Sequence, residues 1–250
     1  MQPRFHDKVT VVIGGNSGIG LASAQAFALE GARVVITGRD PATLERAAQS
    51  IPGALAVRCD VADLRQIDAL VSTIRRELGR IDVLFVNAGT GAFIPIDAVT
   101  EADWDGVLAV NLKGVFFTVQ KALPLLSKGS AIVLNASIGW KKGIPTGSVY
   151  AASKAGVRAL GRNFAAELVG RGIRVNVVSP GPVETPIIGR TAGLAAEDVP
   201  ELRRQMIANT PMRRMGDPAE VARAALFLAS EEASFITGVD LLVDGGAASF

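Results

Sequence analysis

Short runs rich in Val, Ile and Leu alternate along the chain with longer segments whose apolar positions recur at helical spacing. The runs predict strands over 8–15, 32–38, 54–61, 81–89, 130–137, 173–181 and 238–246. The longer segments predict helices over 18–31, 41–51, 64–79, 102–126, 148–172 and 218–232. Gly31 closes the first helix and Pro41 opens the second. Strands that are apolar throughout, separated by helices, imply a parallel sheet covered on both faces. Its crossovers should be right-handed. The expected fold is α/β: a doubly wound, seven-stranded parallel sheet with helices on both faces. No linker, repeat or low-complexity segment interrupts the pattern, so 1–250 reads as one domain. One stretch, about 182–217, breaks the rhythm with several prolines and a mixture of apolar residues and arginines. A long excursion of this kind reads as a lid over a site, with a surface insertion as the alternative.

The first strand runs into IGGNSGIG, carrying Gly14, Gly15, Gly18 and Gly20 at the turn into the first helix. Such a turn lets backbone approach a pyrophosphate, and the helix N-terminus offers N–H groups and a positive dipole. Asn16, Ser17 and Ile19 complete the loop. The spacing is G-x-x-x-G-x-G rather than G-x-G-x-x-G. The second strand ends ITGRD. An acidic residue at its tip would bind a ribose 2′-hydroxyl, whereas the Arg39 guanidinium suits a 2′-phosphate. NADP(H) is therefore expected over NAD(H), with a solvated loop arginine as the competing role of Arg39.

Composition narrows the chemistry. About half of the 250 residues (49%) are apolar, enough for a sizeable core. A net charge of +2 asks for neither a nucleic-acid nor a membrane partner. Cys59 is the single cysteine and His6 the single histidine, so neither a cysteine cluster nor a serine–histidine triad is expected, and no metal site. MQPRFHDK has no apolar leader segment and no run reaches the ~18 residues of a membrane span, so the expected setting is cytoplasmic. Proton chemistry is left to Tyr, Lys, Ser or carboxylates. Tyr150, the one tyrosine, precedes Lys154 by one helical turn.

Positions four apart share a helix face, so the Lys154 ammonium can lie beside the Tyr150 phenol. A charge about 5 Å away, at an effective dielectric near 20, favours the phenolate by roughly 3 kcal/mol. That would lower the phenol by about two pK units from its usual ~10 and tune it as a general acid or base.

Further motifs stand in order: Asn87-Ala88-Gly89 after the fourth strand, Asn111-Leu112-Lys113-Gly114 in the long helix, Ser137 at the end of the fifth strand, and Pro180-Gly181 after the sixth. Together with GGNSGIG, Tyr150-x-x-x-Lys154 and the closing ITGVDLLVDGG, the chain resembles the short-chain dehydrogenases/reductases, in their compact single-domain branch, over essentially its whole length. The resemblance implies a Rossmann-like fold and hydride transfer between a nicotinamide and a carbonyl or secondary alcohol. It implies Asn111, Ser137, Tyr150 and Lys154 as the catalytic set. Tyr150 would protonate the carbonyl oxygen, Ser137 would hold that oxygen, Lys154 would bond the nicotinamide ribose and Asn111 would anchor a water chain. It also implies an adenine contact at Asp60 beside Val61, backbone contacts at Asn87, Ala88, Gly89, Pro180 and Gly181, and a carboxamide contact at Thr185 beside Val183. A homo-oligomer, a tetramer by resemblance, is expected.

Two departures stand out. Ile13 occupies the place where the family usually has a threonine before the loop, which leaves one bracing hydrogen bond without a donor or acceptor, and nothing in the sequence lets Thr37 replace it. Ser17 stands where many NADP-using members carry a basic residue. Small residues on the Tyr150 helix (Ala151, Ala152, Ser153, Ala155, Gly156) permit close packing against a second subunit or within the chain. Trp140, Ile187, Ile188 and Met206 are candidates for an apolar mouth. Lys141, Lys142 and Arg190 would favour an acidic substrate if they face it, and are otherwise solvated charges. A 3-oxoacyl-thioester reductase is the alternative enzyme, and a non-catalytic dinucleotide sensor the alternative of another class.

Overall fold

The computed structural model describes residues 3–191 and 194–249. Seven strands form one sheet: β1 (Val9–Ile13), β2 (Arg33–Gly38), β3 (Leu55–Arg58), β4 (Ile81–Val86), β5 (Leu126–Asn135), β6 (Arg174–Pro180) and β7 (Asp240–Val243). Their spatial order is β3-β2-β1-β4-β5-β6-β7, and every neighbouring pair is parallel. The helices are α1 (Gly18–Leu29), α2 (Pro41–Gln49), α3 (Leu64–Glu77), α4 (Glu101–Leu108), α5 (Gly114–Ala122), α6 (Ser148–Leu168), α7 (Val199–Ala208) and α8 (Pro218–Ala229). This is the doubly wound α/β sheet that the alternating pattern predicts. The strand order reverses between β1 and β4, and in such sheets that crevice, at the carboxyl ends of the strands, is where ligands bind.

Side chains alternate across the strands and feed two apolar layers. On one face Val11, Ile13, Leu84 and Ile132 pack with α3, α5 and α6 through residues such as Ile74, Val119 and Val157. On the other, Val12, Ile36, Phe85 and Val133 pack with α1, α2 and α8 through Phe27, Leu44 and Leu226. With both faces covered, the central strands are apolar at nearly every position. Asp40, Asp63, Thr100 and Asp217 each cap a helix N-terminus through a side-chain oxygen.

The structure departs from the sequence pattern in three places. The helix predicted over 102–126 is not continuous. A π-helical turn, Ala109–Lys113, separates α4 from α5. Beyond α5 a 3-10 turn, Leu123–Leu125, carries Pro124, which lacks the N–H an α-helix needs, and β5 starts at Leu126 rather than at Ser130. The sixth helix ends at Leu168, and Gly172 in a left-handed conformation (φ 70°) turns the chain into β6. The excursion 182–217 is not wholly irregular. It holds α7, opened by Pro200, after short 3-10 turns at Ile188–Arg190 and Ala196–Asp198.

Candidate active site

A cleft of about 540 Å³ opens where β1 and β4 part. Its floor is the glycine loop. Gly14 (φ 76°) and Gly18 (φ 54°) take left-handed conformations that other residues adopt only with strain. A side chain at Gly14 would meet the Ala88 backbone at 2.8 Å, and one at Gly18 would meet the Thr185 side chain at 3.2 Å. Ser17 precedes α1 in extended conformation without capping it, and no acidic residue stands in the first turn. The first-turn N–H groups and the helix dipole thus face the cleft with no side chain competing for them. The cradle would suit a dinucleotide, whose pyrophosphate the N–H groups at the α1 N-terminus could receive.

Asn16, Ile19, Arg39, Asp60, Val61, Asn87, Ala88, Gly89, Pro180, Gly181, Val183 and Thr185, all expected to bind cofactor, line the same cleft. Gly20 does not line it. A Cβ there would stand 2.0 Å from the Gly14 carbonyl oxygen, so Gly20 is required by the packing of α1 against β1. Asn87 ties the strand ends together: its Nδ2 donates to the Gly14 carbonyl at 3.0 Å and its Oδ1 accepts from Asn135 Nδ2 at 2.8 Å. Asp60 does not cap α3, a task that falls to Asp63; it accepts from the Ala62 N–H at 3.0 Å and borders the cleft. Arg39 is exposed at the end of β2, and Arg58, its neighbour on β3, donates from Nε to the Arg39 carbonyl at 3.2 Å.

The loop brace that Ile13 cannot supply comes from Thr37. Its Oγ1 accepts the Gly14 N–H at 3.0 Å. The two residues are twenty-three apart in sequence and meet only because β1 and β2 pair in register, so the expectation that Thr37 cannot fill the role is overturned.

At the far end of the cleft stand Ser137, Tyr150 and Lys154. Ser137 leaves β5 in extended conformation and accepts the Gly139 N–H at 3.2 Å, which fixes its turn. Tyr150 and Lys154 share one face of α6, with Lys154 Nζ 5.9 Å from the phenol ring centroid. Lys154 is buried at 4% exposure and donates to the Asn135 carbonyl at 2.9 Å. Burial lowers its pKa from 10.5 to about 8. The expected downward shift of Tyr150 does not appear. Burial pushes its phenol up, and the hydrogen bond with the Ser137 hydroxyl only partly opposes this. Desolvation disfavours the charged phenolate and sets the direction of the shift.

Asn111 does not line the cleft; it braces it from behind. It lies in the π turn, fully buried. Its Oδ1 accepts the Thr90 N–H at 2.8 Å, and its Nδ2 donates to the Thr90 carbonyl at 2.9 Å and to Ser153 Oγ at 3.1 Å. Ser153 Oγ in turn donates to the Tyr150 carbonyl at 2.7 Å. One amide therefore links the loop after β4 to the helix carrying Tyr150. The π turn re-phases the long helix by about one residue, as such turns do near functional sites. On α6, a side chain at Gly156 would stand 2.7 Å from Leu112 of the π turn, so at this position the small residue serves packing within the chain.

Trp140 is not part of the mouth. Its Nε1 donates to Ser179 Oγ at 3.3 Å, and the Arg158 guanidinium stacks 3.9 Å above its ring. Arg158 and Ser179 both bind Asp240, at 3.1 and 2.6 Å. Ile187, Ile188 and Met206 do line the cleft, joined by Phe93, Ile144 and Leu202, which the sequence pattern does not single out. Only the apolar i, i+4 spacing of Leu202 and Met206 hints at the last of these. Among the described residues Lys141 and Lys142 do not line it, and Lys142 donates to the Ala247 carbonyl; the Arg190 side chain lies outside the described set.

The sequence profile described as "Enoyl-(Acyl carrier protein) reductase" matches residues 13–248. The chain belongs to the short-chain dehydrogenase/reductase family. It is 41% identical over 249 residues to the oxidoreductase asL5 of Sarocladium schorii, covering 98% of this chain and 97% of that protein. It is 40% identical over 251 residues to the 3-oxoacyl-[acyl-carrier-protein] reductase FabG of Thermotoga maritima, covering 97% and 98%. The crystal structure of levodione reductase superposes with a TM-score of 0.94 at 34% identity, covering 98% and 99%. These relatives are oxidoreductases, and the family works with nicotinamide dinucleotides. Among the described residues no helix is long and apolar enough to cross a membrane, and none of the His, Cys, Asp and Glu side chains cluster as a metal site would need.

Proposed function

We propose that this protein is an NADP(H)-dependent oxidoreductase that interconverts a carbonyl and a secondary alcohol, with Tyr150 as general acid and base. The observation that carries the reading is the convergence of Ser137, Tyr150 and Lys154 on the same cleft as the glycine cradle. When bound, the nicotinamide supplies hydride to a carbonyl carbon, or takes it from an alcohol. The chain's residues handle the oxygen. Ser137 and Tyr150 line the same part of the cleft as neighbours, so a substrate oxygen that enters between their hydroxyls meets two donors. As charge develops on that oxygen, Tyr150 Oη gives it a proton; in the reverse direction the phenolate takes the proton back.

The shift on Tyr150 suits the reductive direction. A phenol held protonated by burial is ready to act as an acid. The positive charge of Lys154, reinforced by that of an oxidised nicotinamide, favours the phenolate once the proton has left. Lys154 at about 8 remains mostly charged near pH 7. Its place in the cleft also suits a bond to the nicotinamide ribose. Asn111 acts through its bracing of Thr90 and Ser153, and the π turn around it suits the anchoring of a water chain.

NADP(H) is preferred because Arg39, exposed at the β2 tip, suits a 2′-phosphate, while Asp40 accepts the Thr43 N–H at 2.8 Å as the cap of α2. NAD(H) is the alternative. The FabG relative keeps 3-oxoacyl thioesters among the substrates to test. A non-catalytic sensor would need the glycine loop without the Ser137–Tyr150–Lys154 set. A homotetramer in the cytoplasm completes the reading, with sedimentation as its check. The direct test is the rate of NADPH and NADH oxidation with ketones and acetoacetyl thioesters. Carbonyl-dependent oxidation, faster with NADPH, is expected; tight cofactor binding without turnover of any carbonyl or alcohol would favour the sensor.

A further inference from the structure

The cleft has two chemically different halves. The half between the glycine loop and β2 is lined by polar and charged groups, including Asn16, Arg39 and Asp60. Around Tyr150 the lining includes Phe93, Ile138, Ile144, Ile187, Leu202 and Met206, with Thr90 and Thr191 among them. The Phe93 ring lies 6.1 Å from the Tyr150 ring, tilted by 40°, across from the phenol. No described residue of this half except Lys154 is charged.

The hydroxyl nearest this wall on the excursion is already engaged. Thr191 Oγ1 donates to the Ile187 carbonyl at 2.8 Å. Charged residues of the excursion turn elsewhere: Arg203 pairs with Glu184 at 3.0 Å, Arg204 with Glu201, and Arg214 with Glu220 at 2.7 Å. Helix α7 makes the sorting plain. Leu202 and Met206, one turn apart, face the cleft, while Glu201, Arg203, Arg204 and Gln205 are exposed.

We propose that the substrate of this site is an uncharged, largely apolar ketone or its secondary alcohol, rather than a sugar, a polyol or a keto acid. The inference rests on the carbonyl–alcohol reading above and narrows it. A ketone oxygen finds its two partners in Ser137 and Tyr150. A further hydroxyl seated against Ile, Leu and Met would lose water without a partner, at about tenfold in affinity each. A carboxylate would lose more, with no guanidinium or ammonium beyond Lys154 in the described wall.

The test is kcat/KM for four carbonyl compounds with the cofactor that serves best: benzylacetone, cyclohexanone, erythrulose and levulinate. Benzylacetone or cyclohexanone is expected to exceed erythrulose by about 1,000-fold, roughly tenfold for each of its three unpaired hydroxyls, and levulinate by at least about 100-fold for its buried carboxylate. Equal or faster turnover of erythrulose or levulinate would overturn the inference and leave the oxidoreductase reading intact. No turnover of any of the four, nor of the matching alcohols in reverse, would overturn both. A Leu202→Arg variant probes the wall itself. Its ratio of levulinate to benzylacetone turnover should rise about tenfold, and an unchanged ratio would show that α7 does not face the substrate.

Discussion

Replacing Lys154 by methionine should abolish most turnover and yet leave the cofactor-free protein as stable as before, or more so. The ammonium is buried at 4% exposure, and its pKa falls from 10.5 to about 8 because burial disfavours the charge. Holding it charged near neutral pH therefore destabilises the fold by roughly 3 kcal/mol. Methionine removes that penalty in nearly the same volume. It also removes the charge-assisted bond to the Asn135 carbonyl, about 1.5–3 kcal/mol. The net at neutral pH lies between no change and a gain of about 2 kcal/mol, with each kcal/mol moving Tm by roughly 2–4 °C in a chain of this size.

The pH dependence separates the two contributions. Below about 8 the lysine is protonated both folded and unfolded, so its penalty is fully present. Between about 8 and 10.5 the unfolded chain binds a proton that the folded chain has lost, and the wild-type protein gains stability as pH rises. The variant has no such gain. Tyr150, raised above its usual 10, stays protonated across most of that window. The advantage of the variant should thus shrink by roughly 3 kcal/mol from pH 8 to 10.5. Urea unfolding of both proteins at several pH values measures it. A difference that stays flat, or widens with pH, would refute the account of Lys154 as a buried, destabilised cation.

Thr37→Val should leave the Gly14 N–H without its partner, cost about 1–2 kcal/mol of stability and weaken cofactor binding several-fold, with rescue by Thr37→Ser, as read by thermal melts and NADPH titration. Gly20→Ala puts a methyl 2.0 Å from the Gly14 carbonyl oxygen and should destabilise by about 3 kcal/mol, although the residue does not line the cleft; a Tm unchanged within a degree would contradict the packing role. Arg39→Ala should raise the NADPH Kd by about 10- to 100-fold at fixed ionic strength and change that for NADH little, whereas equal losses would remove the 2′-phosphate role.

What the sequence made legible was whatever depends on local periodicity and spacing. Continuous apolar runs and helices at period 3.6 predicted the elements, and the alternation of the two along the chain predicted the parallel sheet. The Tyr150–Lys154 spacing alone places both groups on one helix face. What it hid depends on contacts between distant segments or on the local dielectric. Thr37 braces Gly14 through strand register, which no motif announces. The π turn at Ala109–Lys113 shifts hydrogen bonding by one residue without any helix-breaking residue inside it. Trp140 reads as a mouth residue, yet its indole N–H and the Arg158 cation draw it to Ser179 and Asp240. Burial raises the Tyr150 phenol and lowers Lys154, and burial is not encoded in the i, i+4 spacing.

The central claim is that Tyr150 carries the proton. The most direct measurement compares Tyr150→Phe with the wild-type protein in single-turnover reduction of an apolar ketone, alongside NADPH affinity by fluorescence. Phenylalanine keeps the ring against Phe93 and removes only the hydroxyl. The account predicts that the reduction rate falls by about 100-fold or more, the scale of general acid catalysis, with NADPH affinity changed less than about threefold, under 1 kcal/mol. A variant that reduces the ketone at close to the wild-type rate would contradict it.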